Sequence, residues 1–176
     1  MNEEKRRLLK LLSLLLHYPD ETLVDGIEEL EEAVATISQS EARERCQDFL
    51  GRLKTTPLVH LQEEYTAIFD LSSETCLNLS HHRCGDARER GRALVEFQQL
   101  YKSGGYESTV RELPDYLPLV LEFLSLDTGA RHSALLGQYS DQVEAISSRL
   151  QKKGSSYAPF FCSVVDLFQE LKADGA

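Results

Sequence analysis

The spacing of the apolar residues constrains this chain more than any other feature. They recur every three or four positions over long intervals, and no convincing alternating run breaks the pattern. Residues 5–16 are leucine-rich and end at Pro19. Asp20 is placed to cap a second helix carrying Leu23, Ile27, Leu30, Val34 and Ile37. Ser40 stands before a third, with Ala42, Cys46, Phe49, Leu50 and Leu53 on one face. Thr56-Pro57 opens a fourth through Leu58, Leu61, Tyr65, Ile68 and Phe69, with proline at the first helical position. Asp86 caps a segment through Leu94, Phe97, Leu100 and Tyr101 that stops at Gly104-Gly105. Pro114 and Pro118 frame the entrance to an apolar helix, Leu119 to Leu126. Pro118 has no amide hydrogen, so it must lie in the first turn or kink the helix. Ser133 begins another helix with Leu136, Tyr139, Val143, Ile146 and Leu150, and Gly154-Ser155-Ser156 ends it. Phe160, Phe161, Val164, Val165, Phe168 and Leu171 mark the last. The expectation is an all-α fold: one domain over 1–176, a bundle of roughly eight helices, with residues 70–85 as its longest irregular loop.

Charge narrows the partners. The 29 acids against 19 bases leave a net charge of −10. A basic surface to neutralise phosphates is missing, so nucleic acid is excluded as a partner and a basic one is favoured. No apolar run approaches the roughly 18 residues of a membrane span, so direct membrane insertion is not expected. Lys5-Arg6-Arg7 followed by leucines resembles a twin-arginine leader. Asn2-Glu3-Glu4 places acids where a leader has bases, and the apolar run ends in His17-Tyr18-Pro19 without a small-residue cleavage site. The segment reads as an amphipathic first helix, and the chain as cytoplasmic. Cys46, Cys76, Cys84 and Cys162 form no CxxC pair and read as free thiols.

Four constellations carry possible chemistry. Tyr65 and Phe69, four apart, share a helix face. They form either a core pair or an aromatic groove wall with Asp70 at its mouth. Gly85-Asp86-Ala87-Arg88-Glu89-Arg90 is a cap with a solvated first turn, yet arginines there oppose the helix dipole and call for acidic partners, with Glu112 and Asp115 the obvious candidates. Glu112-Leu113-Pro114-Asp115-Tyr116-Leu117-Pro118 is a rigid, acidic, aromatic turn, either architecture or a site for a basic peptide. Cys76, His81, His82 and Cys84 are zinc-type residues in a nonstandard spacing. They leave a small metal-dependent enzyme using His81, His82 and Cys84 as the reading from another class.

Three of these segments, in order, resemble the NarJ-type chaperones, the nitrate reductase molybdenum cofactor assembly proteins. They are Glu64-Tyr65-Thr66-Ala67-Ile68-Phe69-Asp70, Gly85 to Gly91, and Glu112 to Pro118 with Leu121-Glu122-Phe123-Leu124. Leu15-Leu16-His17-Tyr18-Pro19-Asp20 fits as well, and the likeness covers about residues 8–126. Two departures are Cys84, where the family commonly has histidine, and His81, near which it often has an acid. The resemblance implies a TorD-like helical fold, no catalytic activity and no cofactor or metal of its own. It implies a cytoplasmic chaperone, monomer or weak dimer. Its partner would be the basic N-terminal peptide of the apo catalytic subunit of a nitrate reductase, held until the molybdenum cofactor is inserted and the partner subunits join. The runner-up is the same fold serving another molybdoenzyme or a twin-arginine leader. The peptide-binding residues carried over are Tyr65, Phe69, Asp86, Arg88, Arg90, Glu112, Pro114, Asp115 and Tyr116.

Overall fold

Why the apolar stripes fold as they do is clearest at the helix ends. The computed structural model describes residues 2–84, 87–107, 111–126 and 137–174. Among them are ten α-helices and one π-turn: α1 Glu3–Leu16, α2 Glu21–Asp25, α3 Ile27–Ala35, α4 Ser40–Thr55, α5 Leu58–Tyr65 continued by the π-turn Thr66–Asp70, α6 Leu79–Arg83, α7 Ala87–Ser103, α8 Leu117–Leu126, α9 Ser140–Lys152 and α10 Ala158–Asp174. Asn2 caps α1 by accepting the Lys5 amide at 2.8 Å, and Asp20 caps α2 by accepting that of Leu23 at 2.9 Å. Gly105 and Gly154 take φ +81° and +63°, the left-handed turn that ends a helix without a Cβ penalty. Each is followed by an amide that reaches back to close the helix, Tyr106 to Tyr101 and Ser155 to Leu150.

The helices pack as an all-α, single-domain bundle. α1 lies along α8; α10 packs on α9 and α4; α3 packs on α4. Leu8, Leu9, Leu12, Leu15 and Leu16 of α1 enter one core with Phe97, Leu121, Phe160, Phe161 and Phe168. Ala42, Cys46, Phe49, Leu50 and Leu53 are all buried, so the α4 stripe is the core face.

Several boundaries differ from the sequence reading. The number of helices exceeds eight because the second expected helix divides at Gly26, whose ψ of 3° leaves the helical range, and because the 70–85 loop contains α6. Ser40 is the first residue of α4 rather than its cap, and Gln39, in the cap position, offers no side-chain bond. Pro57 precedes α5, which begins at Leu58. The start expected at Ser133 and the cap expected at Asp86 lie outside the described residues. Pro118 sits in the first turn of α8, as its missing amide requires. The Pro114 carbonyl accepts the Tyr101 hydroxyl.

Candidate peptide-binding site

The Glu112–Tyr116 turn is held from behind. Asp115 is fully buried: one carboxylate oxygen accepts Asn78 Nδ2 at 3.1 Å, and the other accepts the Ser80 amide at 2.9 Å and the Ser80 hydroxyl. Its backbone carbonyl takes the Leu79 amide at 3.0 Å, and the Leu117 amide reaches the Leu77 carbonyl at 2.8 Å. A two-sided bridge, Asn78 against Tyr116, thus pins the turn to α6, and Asp115 serves as the acceptor for the first amides of that helix.

Tyr65 and Phe69 lie beside this turn, each 2% exposed. The Tyr65 hydroxyl donates to the Leu16 carbonyl at 3.1 Å, so its single proton is committed there. The Tyr116 hydroxyl, 2.7 Å away, must then donate to Tyr65. Ring contacts with Tyr18, Phe69 and Tyr157 surround Tyr65, and His17 meets Tyr116 edge-on at 5.8 Å. Burial drives the Tyr65 phenol far above its ordinary range. Burial, with the Glu112 and Asp70 carboxylates nearby, pushes Tyr116 up to about 12. The structure therefore joins Tyr65, Phe69, Pro114, Asp115 and Tyr116, with Glu112 exposed on the rim.

Arg88 and Arg90 do not brace these acids. Neither pairs with Glu112 or Asp115 among the described residues: the Asp115 oxygens face Asn78 and Ser80, and Arg90 Nε is buried without a bond. Of the zinc-type residues, Cys76 Sγ and His82 Nε2 lie 3.6 Å apart. His82 Nδ1 faces Arg149, which only donates, so Nε2 carries the hydrogen and gives it to the Cys76 carbonyl at 2.7 Å. No group of three or more metal-ligating side chains occurs among the described residues.

One feature the motifs did not point to is a groove of about 650 Å³ between α1 and the α2–α3 pair. Arg7, Lys10, Leu11, Leu14, His17 and Tyr18 form the α1 side at helical spacing, and Leu23, Gly26, Glu29, Leu30 and Ala33 form the other. Leu14 and Tyr18 are 36% and 44% exposed, so the groove displays apolar surface that the described residues leave uncovered. His17 and Tyr18 belong to the groove and also touch Tyr116 and Tyr65, so the groove runs into the motif cluster. From Arg7 to His17 it spans about 15 Å, nearly three helical turns. The sequence signal was the surplus of leucines on α1.

An all-α bundle with an open apolar groove is the architecture of a helical maturation chaperone. The crystal structure of an Archaeoglobus fulgidus protein described as a redox enzyme maturation protein superposes with a TM-score of 0.66 at 27% identity, covering 95% of this chain and 93% of that one. Residues 25–163 match the nitrate reductase delta subunit family. NarJ of Bacillus subtilis (strain 168) is 31% identical over 159 residues, 90% of this chain and 86% of that protein. The nitrate reductase molybdenum cofactor assembly chaperone NarJ of Escherichia coli (strain K12) is 34% identical over 155 residues, 87% of this chain and 66% of that protein. This chain belongs to that family, the NarJ-type nitrate reductase molybdenum cofactor assembly chaperones, within the wider TorD- and DmsD-like class.

Proposed function

We propose that this chain holds the N-terminal segment of the apo catalytic subunit of a respiratory nitrate reductase, keeping the subunit competent for molybdenum cofactor insertion and for assembly with its partner subunits. The observation that supports this most is the uncovered groove between α1 and α2–α3. It suits the apolar face of a short amphipathic helix. At its far end His17 meets Tyr116 and lies within electrostatic reach of Glu112, while Tyr65 and Asp115 tie the Glu112–Tyr116 turn into the bundle. Glu112 offers an exposed carboxylate to a basic side chain. No helix among the described residues is long and apolar enough to cross a membrane.

The test is calorimetric titration with the first 15–30 or so residues of a nitrate reductase catalytic subunit from the same genome. Saturable one-to-one binding at micromolar affinity or better is expected. Glu112→Lys should weaken it while leaving the thermal transition in place. Equal loss of binding and folding would remove Glu112 from the site. Absence of binding by this peptide, in a folded protein, would overturn the reading.

A further inference from the structure

We propose that the groove admits its occupant in one direction, antiparallel to α1, with the amino-terminal end of the bound segment at the His17–Asp20 end. This rests on the peptide-binding reading above and adds a polarity to it. The two walls run in opposite senses. Arg7 meets Thr36 at one end, where both also line the neighbouring hollow with Glu3 and Ser38; His17 and Tyr18 meet Asp20 and Thr22 at the other.

The two ends differ in charge. At the His17 end, Asp20 is exposed and bonds only backbone amides of its own helix, and Glu112 is exposed with no ion pair among the described residues. Both carboxylates act on His17, so both lie within electrostatic reach of this end. The carbonyl end of α1 terminates here too and adds partial negative charge. Lys10, the base closest to this end on α1, is held by Glu122 at 2.5 Å. Glu29, midway along the opposite wall, is exposed and likewise unpaired among the described residues. At the other end Arg7 faces Glu3 at 3.5 Å, and the Glu4 carboxylate is engaged by the Ser38 amide at 2.7 Å. That end is close to balanced.

A helix that begins a chain carries a full positive charge on its α-amino group and a partial one on its first unpaired amides. Laid with that end against Asp20 and Glu112, both charges meet carboxylates. Reversed, its carbonyl end would face those carboxylates and the end of α1, like charge against like. The groove thereby distinguishes a segment that starts a chain from an internal helix with the same apolar face.

The experiment compares the free-amine N-terminal peptide with its N-acetylated form, on the wild-type chain and on Asp20→Asn/Glu112→Gln. Asparagine preserves the cap of α2, so folding is retained. Acetylation is expected to weaken binding to wild type about three- to tenfold and to the double variant less than about twofold. Peptides carrying a benzophenone at the first or the last residue report position directly: the first should attach near His17–Tyr18, the last near Arg7 and Thr36. Equal acetylation costs in both proteins, or the reverse attachment pattern, would overturn the direction while leaving peptide binding intact. If neither peptide binds, the peptide-binding reading and the direction fall together.

Discussion

The Asp115 turn and the α1–α3 groove lie side by side and are built on opposite terms. In the turn the carboxylate and carbonyl of Asp115 are met from within the chain, by Asn78, Ser80 and Leu79. In the groove Leu14 and Tyr18 stand exposed, and Asp20 and Glu29 carry charge with no ion partner among the described residues. A side chain satisfied internally has little left to offer a partner. A region with unsatisfied apolar surface and charge does. Of the motif residues, Tyr65, Phe69 and Asp115 are thus buried in the bundle, and the groove is lined mostly by residues outside the motifs, His17, Tyr18 and Asp20 excepted.

Asp115→Ala is the strongest way to break this contrast. It strips the acceptor from the Ser80 amide and hydroxyl and from Asn78, all inside the bundle, at a cost of about 3–5 kcal/mol in urea denaturation. A variant that keeps its stability but loses the peptide would transfer Asp115 from scaffold to binding surface. Tyr65→Phe is a milder probe of the same region. It deletes the hydroxyl between the Leu16 carbonyl and Tyr116 and leaves the ring, so about 1–2 kcal/mol of stability should go.

The groove answers in the other measurement. Leu14→Asp places a carboxylate on an already exposed position, so folding should change by no more than about 0.5 kcal/mol. Peptide affinity should fall about tenfold, because an apolar face would then press on a charge. If the substitution instead unfolds the chain and spares binding, the groove is scaffold and the contrast is inverted.

What was legible in the sequence divides along the same line. Helical periodicity is a local property, and the stripes of α1, α4 and α10 were visible in it. So were the glycine stops at Gly105 and Gly154 and the placement of Pro118. The helix inside the 70–85 loop was not visible, because its first amides are bonded by Asp115, thirty-five residues beyond Ser80. No window around Leu79–Arg83 contains that acceptor. Tyr65 and Phe69 were singled out by family pattern and by spacing, but spacing cannot separate a core pair from a groove wall; their rings are buried against Tyr157, which lies far along the chain. The groove escaped for a similar reason. Arg7, Lys10, Leu11, Leu14 and His17 share a face by simple helical arithmetic. That the face stays uncovered depends on how α2–α3 stands off across Gly26, a tertiary fact.

The smallest expected effect is a pH dependence set by two histidines, one from each region. Burial holds His17, in the groove wall, below its ordinary 6.5, and holds His82, behind the turn, below the same value; the Glu122, Glu112 and Asp20 carboxylates oppose this at His17, and the Cys76 carbonyl opposes it at His82. A group whose folded value is depressed binds its proton more readily in the unfolded chain. Stability is therefore complete above about pH 6.5 and declines as the solution is acidified from there through the folded values. Titration of the imidazole carbon-bound protons by NMR should give midpoints below 6.5 for both residues, with a matching loss of stability between pH 7 and the lower midpoint. A bound segment that covers the groove buries His17 further and should lower its midpoint again while leaving His82 where it was. Equal movement of both would mean that the peptide reaches the Asp115 side of the molecule, and the two regions would have to be treated as one site.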